Sequence, residues 1–458
     1  MFRLKSPIYL LSVLLLMVSC GPGQNKGQAE TRALDDKARL APWAYNAVIY
    51  EVNLRQYTPE GTFEAFSNHL PRLKDLGVDI LWLMPIHPIG EENRKGTLGS
   101  YYSIKDYKGV NPEYGTIDDF RALVTKAHEL GLKVIIDWVA NHSSWDNAWV
   151  FEHPDWYAKD SLGNMYAPFD WTDVVQFDYS NQGLRDAMKE AMIYWVREAD
   201  IDGFRCDVAG MVPVDFWESA REALDSIKPV FMLAEDEDVS ALLEKAFNSN
   251  YGWSFHHHMN KIAQGSEKVS DLMTWFANYS TKVPEGAFQM HFTSNHDENS
   301  WNGTAFERMG KAYKTMAVLT FTVEGMPLIY SGQEAGLNRR LEFFEKDQID
   351  WSDLSMSTFY KELIRLKKEN EALWNGNHGG KIELIATDRP EEVLMFTRRS
   401  GSNQVVAVFN LSGNEVEVSA ETTISGQYPD FFTGNIVSLP LKGFSLNPWE
   451  YRIISIQE

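Results

Sequence analysis

The run Gly-Phe-Arg-Cys-Asp at 203–207 sets a guanidinium and a carboxylate two residues apart in a strand-like stretch. Side chains alternate along an extended strand, so Arg205 and Asp207 share one face while Phe204 and Cys206 share the other. Charge on an otherwise apolar strand is costly unless it is paired or solvated at the strand's end. The run therefore reads either as a structural ion pair or as the floor of a site. Acids and histidines gather at the ends of comparable apolar runs: Asp137, Asn141 and His142 on the third, Glu235 on the fifth, His296 and Asp297 on the seventh. An Asp and a Glu flanking one bond are what glycoside hydrolysis requires, one ionised to attack the anomeric carbon and one protonated to assist the leaving oxygen. A third carboxylate is then free to hold the sugar.

These residues must be positioned by a repeating scaffold. Apolar runs of strand length recur at 47–54, 79–86, 133–139, 203–208, 230–235, 288–295 and 327–334, with a poorly patterned candidate around 251–258. Helical periods lie between them, such as 62–77 and 116–131, each ending in a glycine suited to a helix C-terminus. Strand and helix in alternation predict a parallel α/β fold, and a closed barrel places its chemistry at the C-terminal ends of the strands, where these acids stand. No Gly-rich phosphate loop follows the first strand, which leaves a dinucleotide fold without support. The expectation is a TIM (β/α)8 barrel over 42–374, with a short insertion after the third strand at 143–175. Short alternating runs such as KIELIAT, EVLMFTRR and NQVVAVFNL predict a C-terminal all-β sandwich over 375–458.

Of the 458 residues 44% are hydrophobic and 13% aromatic, enough for a large globular core. Acidic side chains outnumber basic ones by 64 to 43, and the net charge of −21 argues against nucleic acid or an anionic membrane surface as partner. The first residues carry Arg3, Lys5, an apolar run from Ile8 to Val18, then Ser19 and Cys20. That pattern predicts a signal peptide over 1–19, its apolar run too short to span a bilayer. The small residue before Cys20 is similar to the lipobox of bacterial lipoproteins. The expectation is thus an exported protein, lipid-anchored through Cys20 to a bacterial membrane on the periplasmic or outer side. Residues 20–41 then form a tether, and Cys206 is left without a disulfide partner.

The chain from Ala41 to the C-terminus resembles the α-amylase family of retaining glycoside hydrolases. DWVANH (137–142), GFRCD (203–207), LAE ending at Glu235 and TSNHD (293–297) look like four signatures of that family. GSYYSIKDYKGVNPEYGT (99–116) and QFDYSN (176–181) are similar to two further stretches. The resemblance implies Asp207 as nucleophile, Glu235 as general acid and then base, and Asp297 as transition-state stabiliser. It also implies that Tyr102 stacks on the reacting sugar, that His142 and His296 bind its hydroxyls, that Arg205 keeps Asp207 ionised, and that Asp137 is a structural acid. The substrate implied is an α-glucan oligosaccharide, cleaved with retained configuration and no required cofactor.

The departures bear on substrate and metal. The Lys-His pair that often follows the nucleophile is replaced by Val208, Ala209, Gly210 and Met211. In relatives that His also supplies a ligand to a structural calcium, whose other ligands fall on Asn141 and Asp178 here; no metal residues are assigned, because too few oxygens are gathered. The alternatives are a 4-α-glucanotransferase or oligo-1,6-glucosidase on the same site, and a non-enzyme reading as a glucan-binding lipoprotein. A monomer is expected, since no separate module precedes the first strand. His256–His258 invites a metal reading, although in a strand His256 and His258 alone would share a face. Trp138, Trp145, Trp149, Trp156 and Trp171 read either as a glucan platform or as the aromatic core of the insertion.

Overall fold

The computed structural model describes residues 40–457. The expected signal peptide, Cys20 and nearly all of the tether lie outside the described residues. In chain order the first strands are β1 (Ile49–Val52), β2 (Ile80–Leu83) and β3 (Lys133–Trp138), followed by the hairpin partners β4 (His142–Ser144) and β5 (Val174–Gln176). Then come β6 (Gly203–Cys206), β7 (Phe231–Ala234), β8 (Ser249–Tyr251), β9 (Phe288–His291) and β10 (Met326–Tyr330). Eight of these close into a parallel barrel in the order β1-β10-β9-β8-β7-β6-β3-β2, the TIM topology that the alternation predicts.

Strand alternation explains the layering. Ile49, Ile80, Trp82, Ile135, Phe231, Leu233, Phe288 and Met290 fill the barrel interior. Tyr50, Val52, Leu81, Leu83, Ile136, Phe204 and Cys206, one residue out of phase, pack outward against the helices. The inward positions at the C-terminal ends are the polar ones: Glu51 pairs in register with Trp82, and Asp137 with Arg205. Gly203 starts the Arg205 strand because a Cβ there would stand 1.9 Å from the Phe231 carbonyl oxygen.

Two elements differ from the sequence pattern. The sixth barrel strand is Ser249–Tyr251, and the chain enters a helix at Trp253–Ala263 rather than continuing extended through the histidines. Phe255, Met259 and Ile262 recur there at helical spacing and are all buried, a period that overrides the short strand-like run. The helical period at 62–77 is two helices, Phe63–Ser67 and Leu70–Leu76, the second restarting with Pro71 in its first turn and ending at Gly77 with φ 104°.

The C-terminal region holds β11 (Ile382–Leu384), β12 (Val393–Ser400), β13 (Asn403–Asn410), β14 (Val416–Val418), β15 (Gly426–Pro429), β16 (Ile436–Leu439), β17 (Phe444–Leu446) and β18 (Tyr451–Gln457). A four-stranded sheet, β11-β12-β13-β18, faces the pairs β14-β17 and β15-β16 across a core of Val406, Val408, Val418, Val437, Leu446 and Ile454. Its other face, with Phe396, Ala407 and Phe409, joins the core that covers the barrel.

Candidate active site

Arg205 is the centre of the polar layer. Fully buried, it donates from Nη1 to Asp137 Oδ1 at 2.8 Å and to Asp207 Oδ1 at 3.2 Å. Its Nη2 lies 2.8 Å from Glu235 Oε1, a charge contact rather than an aligned hydrogen bond, and its Nε donates to Tyr251 Oη at 3.0 Å. One planar guanidinium therefore spans three carboxylates from three strands. Asp137 also accepts from Trp82 Nε1 and Tyr102 Oη, both at 3.1 Å, and is wholly buried, which places it beneath the cavity. Burial pushes the Asp207 carboxyl well above its usual range, and the neighbouring Glu235 adds to the rise against the opposing pull of Arg205. The sequence expectation that Arg205 simply holds Asp207 ionised thus needs correction. The guanidinium is divided among three acids, and at Asp207 and Asp137 it does not outweigh burial.

A second cation stands beside the first. His296 donates from Nδ1 to Glu51 Oε1 at 2.5 Å, while Nε2 lies 2.7 Å from Tyr102 Oη and 3.2 Å from Asp297 Oδ2. With Tyr102 donating to Asp137, its hydroxyl is left to accept from Nε2–H, so both ring nitrogens carry protons. Burial disfavours the imidazolium, but Asp297 and Glu51 on either side hold its pKa well above the ordinary value. Burial likewise raises Asp297, and the His296 charge outweighs it, leaving that carboxylate below its usual range. His142 is the opposite case: burial pulls it down to about 3, so it meets the cavity as a neutral ring.

These groups surround a cavity of about 420 Å³ at the C-terminal mouth of the barrel, with Asp207, Glu235, Asp297, Tyr102 and His142 on its wall. Arg205 and His296 stand just behind that wall. The sequence reading missed Glu51, whose strand looked uniformly apolar; a single acid on the inward phase was the signal available. It also missed Trp301, Phe343 and Phe344, which line the cavity from loops after β9 and β10 and have no strand-end position to betray them. Phe343 stacks at 17° to Tyr102, and Trp301 lies 5.1 Å from Phe343, so one wall is aromatic. Among these tryptophans, Trp171 lines the cavity, whereas Trp138 and Trp156 belong to the core and Trp145 and Trp149 pack on it.

Backbone geometry also serves the acids. Val208 has φ 37° and ψ 47°, a left-handed conformation unfavourable for a β-branched residue. It turns the Val208 N–H onto Glu235 Oε2 at 2.9 Å, fixing the acid next to Asp207. Asp297 leads into a π-turn at Glu298–Asn302, whose Glu298 is held by His256 Nε2 at 3.0 Å and by Asn302 Nδ2 at 2.9 Å. His256 therefore braces the loop that carries Asp297. The other two histidines diverge, His258 pairing with Glu267 and His257 facing solvent, so the triplet does not converge on a metal.

The calcium donors do not fit a cation as they stand. Gln176 Nε2 donates to Asn141 Oδ1 at 2.8 Å, to Asn141 O at 3.2 Å and to Phe177 O at 3.4 Å, placing an amide among the oxygens a cation would take. Asp178 Oδ1 accepts from Ser180 N at 2.9 Å. Among the described residues no three His, Cys, Asp or Glu side chains are grouped as for a metal ion.

The family model for the alpha amylase catalytic domain matches residues 45–161 and 147–357. A maltogenic α-amylase of Thermotoga neapolitana superposes with a TM-score of 0.83 at 32% identity, covering 90% of this chain and 99% of its own. An α-amylase of Lactobacillus plantarum gives 0.81 at 32% identity, with the same coverages of 90% and 99%. Among curated relatives, an α-amylase of Haloarcula japonica is 27% identical over 428 residues, which span 88% of this chain and 61% of the relative.

Proposed function

This chain belongs to the α-amylase family, and we propose that it hydrolyses α-glucosidic bonds of maltodextrin-type oligosaccharides by double displacement with retention. The observation that carries this reading is the single guanidinium of Arg205 in contact with both Asp207 and Glu235. Two carboxyl groups held by adjacent nitrogens of one fork suit the separation of about 5 to 5.5 Å that a retaining pair needs. Asp207 attacks the anomeric carbon and forms a glycosyl ester as Glu235 gives its proton to the leaving oxygen. Glu235 then takes a proton from water, and that water's oxygen displaces Asp207. Asp297 and neutral His142 hold the ring hydroxyls and Tyr102 stacks on the ring face, while His296, expected from the sequence to bind a hydroxyl, has both nitrogens taken by Glu51, Tyr102 and Asp297 and instead holds Asp297 from behind the wall. No cofactor enters these steps.

The test is a chromatographic time course on maltoheptaose with panose alongside, run with wild type and Asp207→Ala. Shorter maltodextrins that vanish in the variant support hydrolysis. Products longer than the starting sugar move the assignment to a transferase, and cleavage of panose alone to an α-1,6-glucosidase. Binding without turnover by both proteins leaves a glucan-binding protein.

We further propose that Cys20 is lipidated after removal of residues 1–19, holding a monomer at a bacterial membrane. Support comes from the basic start, the apolar run and Ser19 before Cys20. Mass spectrometry of the mature N-terminus, with Cys20→Ala as comparison, tests it.

A further inference from the structure

We propose that the segment 94–98, between β2 and the following helix, is a strap that closes the glycon end of the cleft. Lys95 and Thr97 would then restrict cleavage to the non-reducing ends of α-glucan chains. The inference rests on the hydrolase reading above and goes further, to the mode of attack on the chain.

The strap is tied on both sides. Lys95 Nζ reaches Asp173 Oδ1 at 3.2 Å and the Asp170 carbonyl at 3.3 Å, joining it to the insertion. Thr97 N donates to Glu345 Oε1 at 2.8 Å, Thr97 Oγ1 bonds the other Glu345 oxygen, and Leu98 N donates to Phe344 O at 3.1 Å, joining it to the loop after β10. Arg55 grips its end through Gly99 O and Leu98 O at 3.1 and 3.3 Å. Gly96 fits so closely against that loop that a Cβ would lie 2.5 Å from Phe344 Cβ and 2.9 Å from Glu345 Oε1. Lys95, Asp170, Asp173 and Phe344 all line the catalytic cavity, so this ring of contacts is part of its wall.

Barrel order says which end is closed. The strap lies in the loop after β2 and is tied to the loop after β10 as well as to the insertion; β2 and β10 flank β1, while Glu235 follows β7, directly across the ring from β1. The acid protonates the leaving oxygen, so the leaving chain lies on the β7 side and the glycon points toward the strap. A second groove lies toward the strand next to β7. This groove, of about 680 Å³, runs between Tyr166 and Phe169 of the insertion and Met211 and Pro213 after β6, the neighbour of β7 in the ring. A chain interior would have to pass through the strap, whereas a free end needs only to enter.

The experiment compares 4-nitrophenyl α-maltoheptaoside with the same compound blocked by a 4,6-ethylidene group at its non-reducing end, with products resolved by chromatography. Wild type is expected to cleave the free substrate at least about tenfold faster than the blocked one and to release one short product size early. Lys95→Ala/Thr97→Ala should bring the two rates within about threefold and broaden the product sizes. Gly96→Ala displaces the same contact without removing a charge and should act in the same direction if the double variant fails to fold. Equal cleavage of both substrates by wild type, or an unchanged ratio in folded strap variants, overturns the proposal and leaves the hydrolase reading intact. Inertness of wild type toward both substrates overturns the hydrolase reading, and this one with it.

Discussion

Substituting Glu51 by Gln tests whether the second cation is held as the geometry requires. Glu51 is fully buried, accepts His296 Nδ1 at 2.5 Å through Oε1, and leaves Oε2 without a partner. Gln keeps an acceptor in place and removes the charge. Two unit charges about 4 Å apart interact by about 4 kcal/mol at an effective dielectric of about 20. Asp297 still faces Nε2, and solvent reorganises around the lost charge, so taking a third to a half of that gives about 1.3 to 2 kcal/mol, or about 1 to 1.5 pKa units. The sign follows from the direction of the shift. His296 is raised by its two carboxylates, so the imidazolium persists at neutral pH and its stabilisation is lost as pH rises through the raised value. Removing one carboxylate brings that loss to lower pH. NMR titration of the imidazole Cε1–H, assigned by its absence in His296→Asn, should show the His296 midpoint lowered by about 1 to 1.5 units in Glu51→Gln. The alkaline limb of kcat should move the same way. An unchanged midpoint, or a wild-type ring that titrates near the ordinary histidine value of about 6.5, would refute the charge arrangement.

Trp171→Ala should raise KM about tenfold with kcat changed far less, because Trp171 lines the cavity without touching the carboxylates and its loss removes binding common to ground and transition states; initial rates across substrate concentration check this. Gln176→Ala should lower stability by about 1 to 3 kcal/mol in urea melts, because it removes the donor to Asn141 Oδ1 and one of the two donors to the Asn141 carbonyl, while chelator or added calcium leaves the wild-type melting temperature unmoved. Arg398→Met should cost about 3 kcal/mol or more, since Arg398 is buried and donates to the carbonyls of Gly380, Thr322, Val323 and Trp374 where the terminal sheet meets the barrel; the urea midpoint measures it, and a change under about 1 kcal/mol would contradict the packing argument.

The barrel and the three acids were legible because both depend on short-range pattern. Alternation puts Arg205 and Asp207 on one face in any extended strand, and a carboxylate at the end of an apolar run is conspicuous by its cost. What stayed hidden depends on the third dimension. Ser249–Tyr251 is too short to show a period, and the histidines beside it looked extended until Phe255, Met259 and Ile262 are counted as one helical face. Glu51 pairs with a residue 245 positions away, and no local spacing points to it. The strap is further still from legibility. Lys95 and Thr97 are ordinary polar residues in a polar loop, and their role comes from Asp173 and Glu345 meeting them across the mouth of the barrel.

Charge economy connects the hidden residues to the visible ones. Asp137, Asp207, Glu235, Asp297 and Glu51 converge on two cations, Arg205 and His296. Five ionised carboxylates around two positive groups would leave uncompensated negative charge, and with Glu51, Asp137 and Asp207 buried, retaining a proton relieves part of its desolvation cost. The cluster as a whole therefore holds at least one proton at neutral pH, shared among interacting acids rather than owned by one. A double-displacement hydrolase needs such a proton in the resting site, ready to reach the leaving oxygen, together with one ionised carboxylate to attack. The excess of acids over cations favours the first. The Val208 turn ties Glu235 next to Asp207. Glu51, which touches no substrate, belongs to the catalytic apparatus in this sense: by holding His296 cationic it helps keep Asp297 ionised, so that the retained proton resides elsewhere in the cluster.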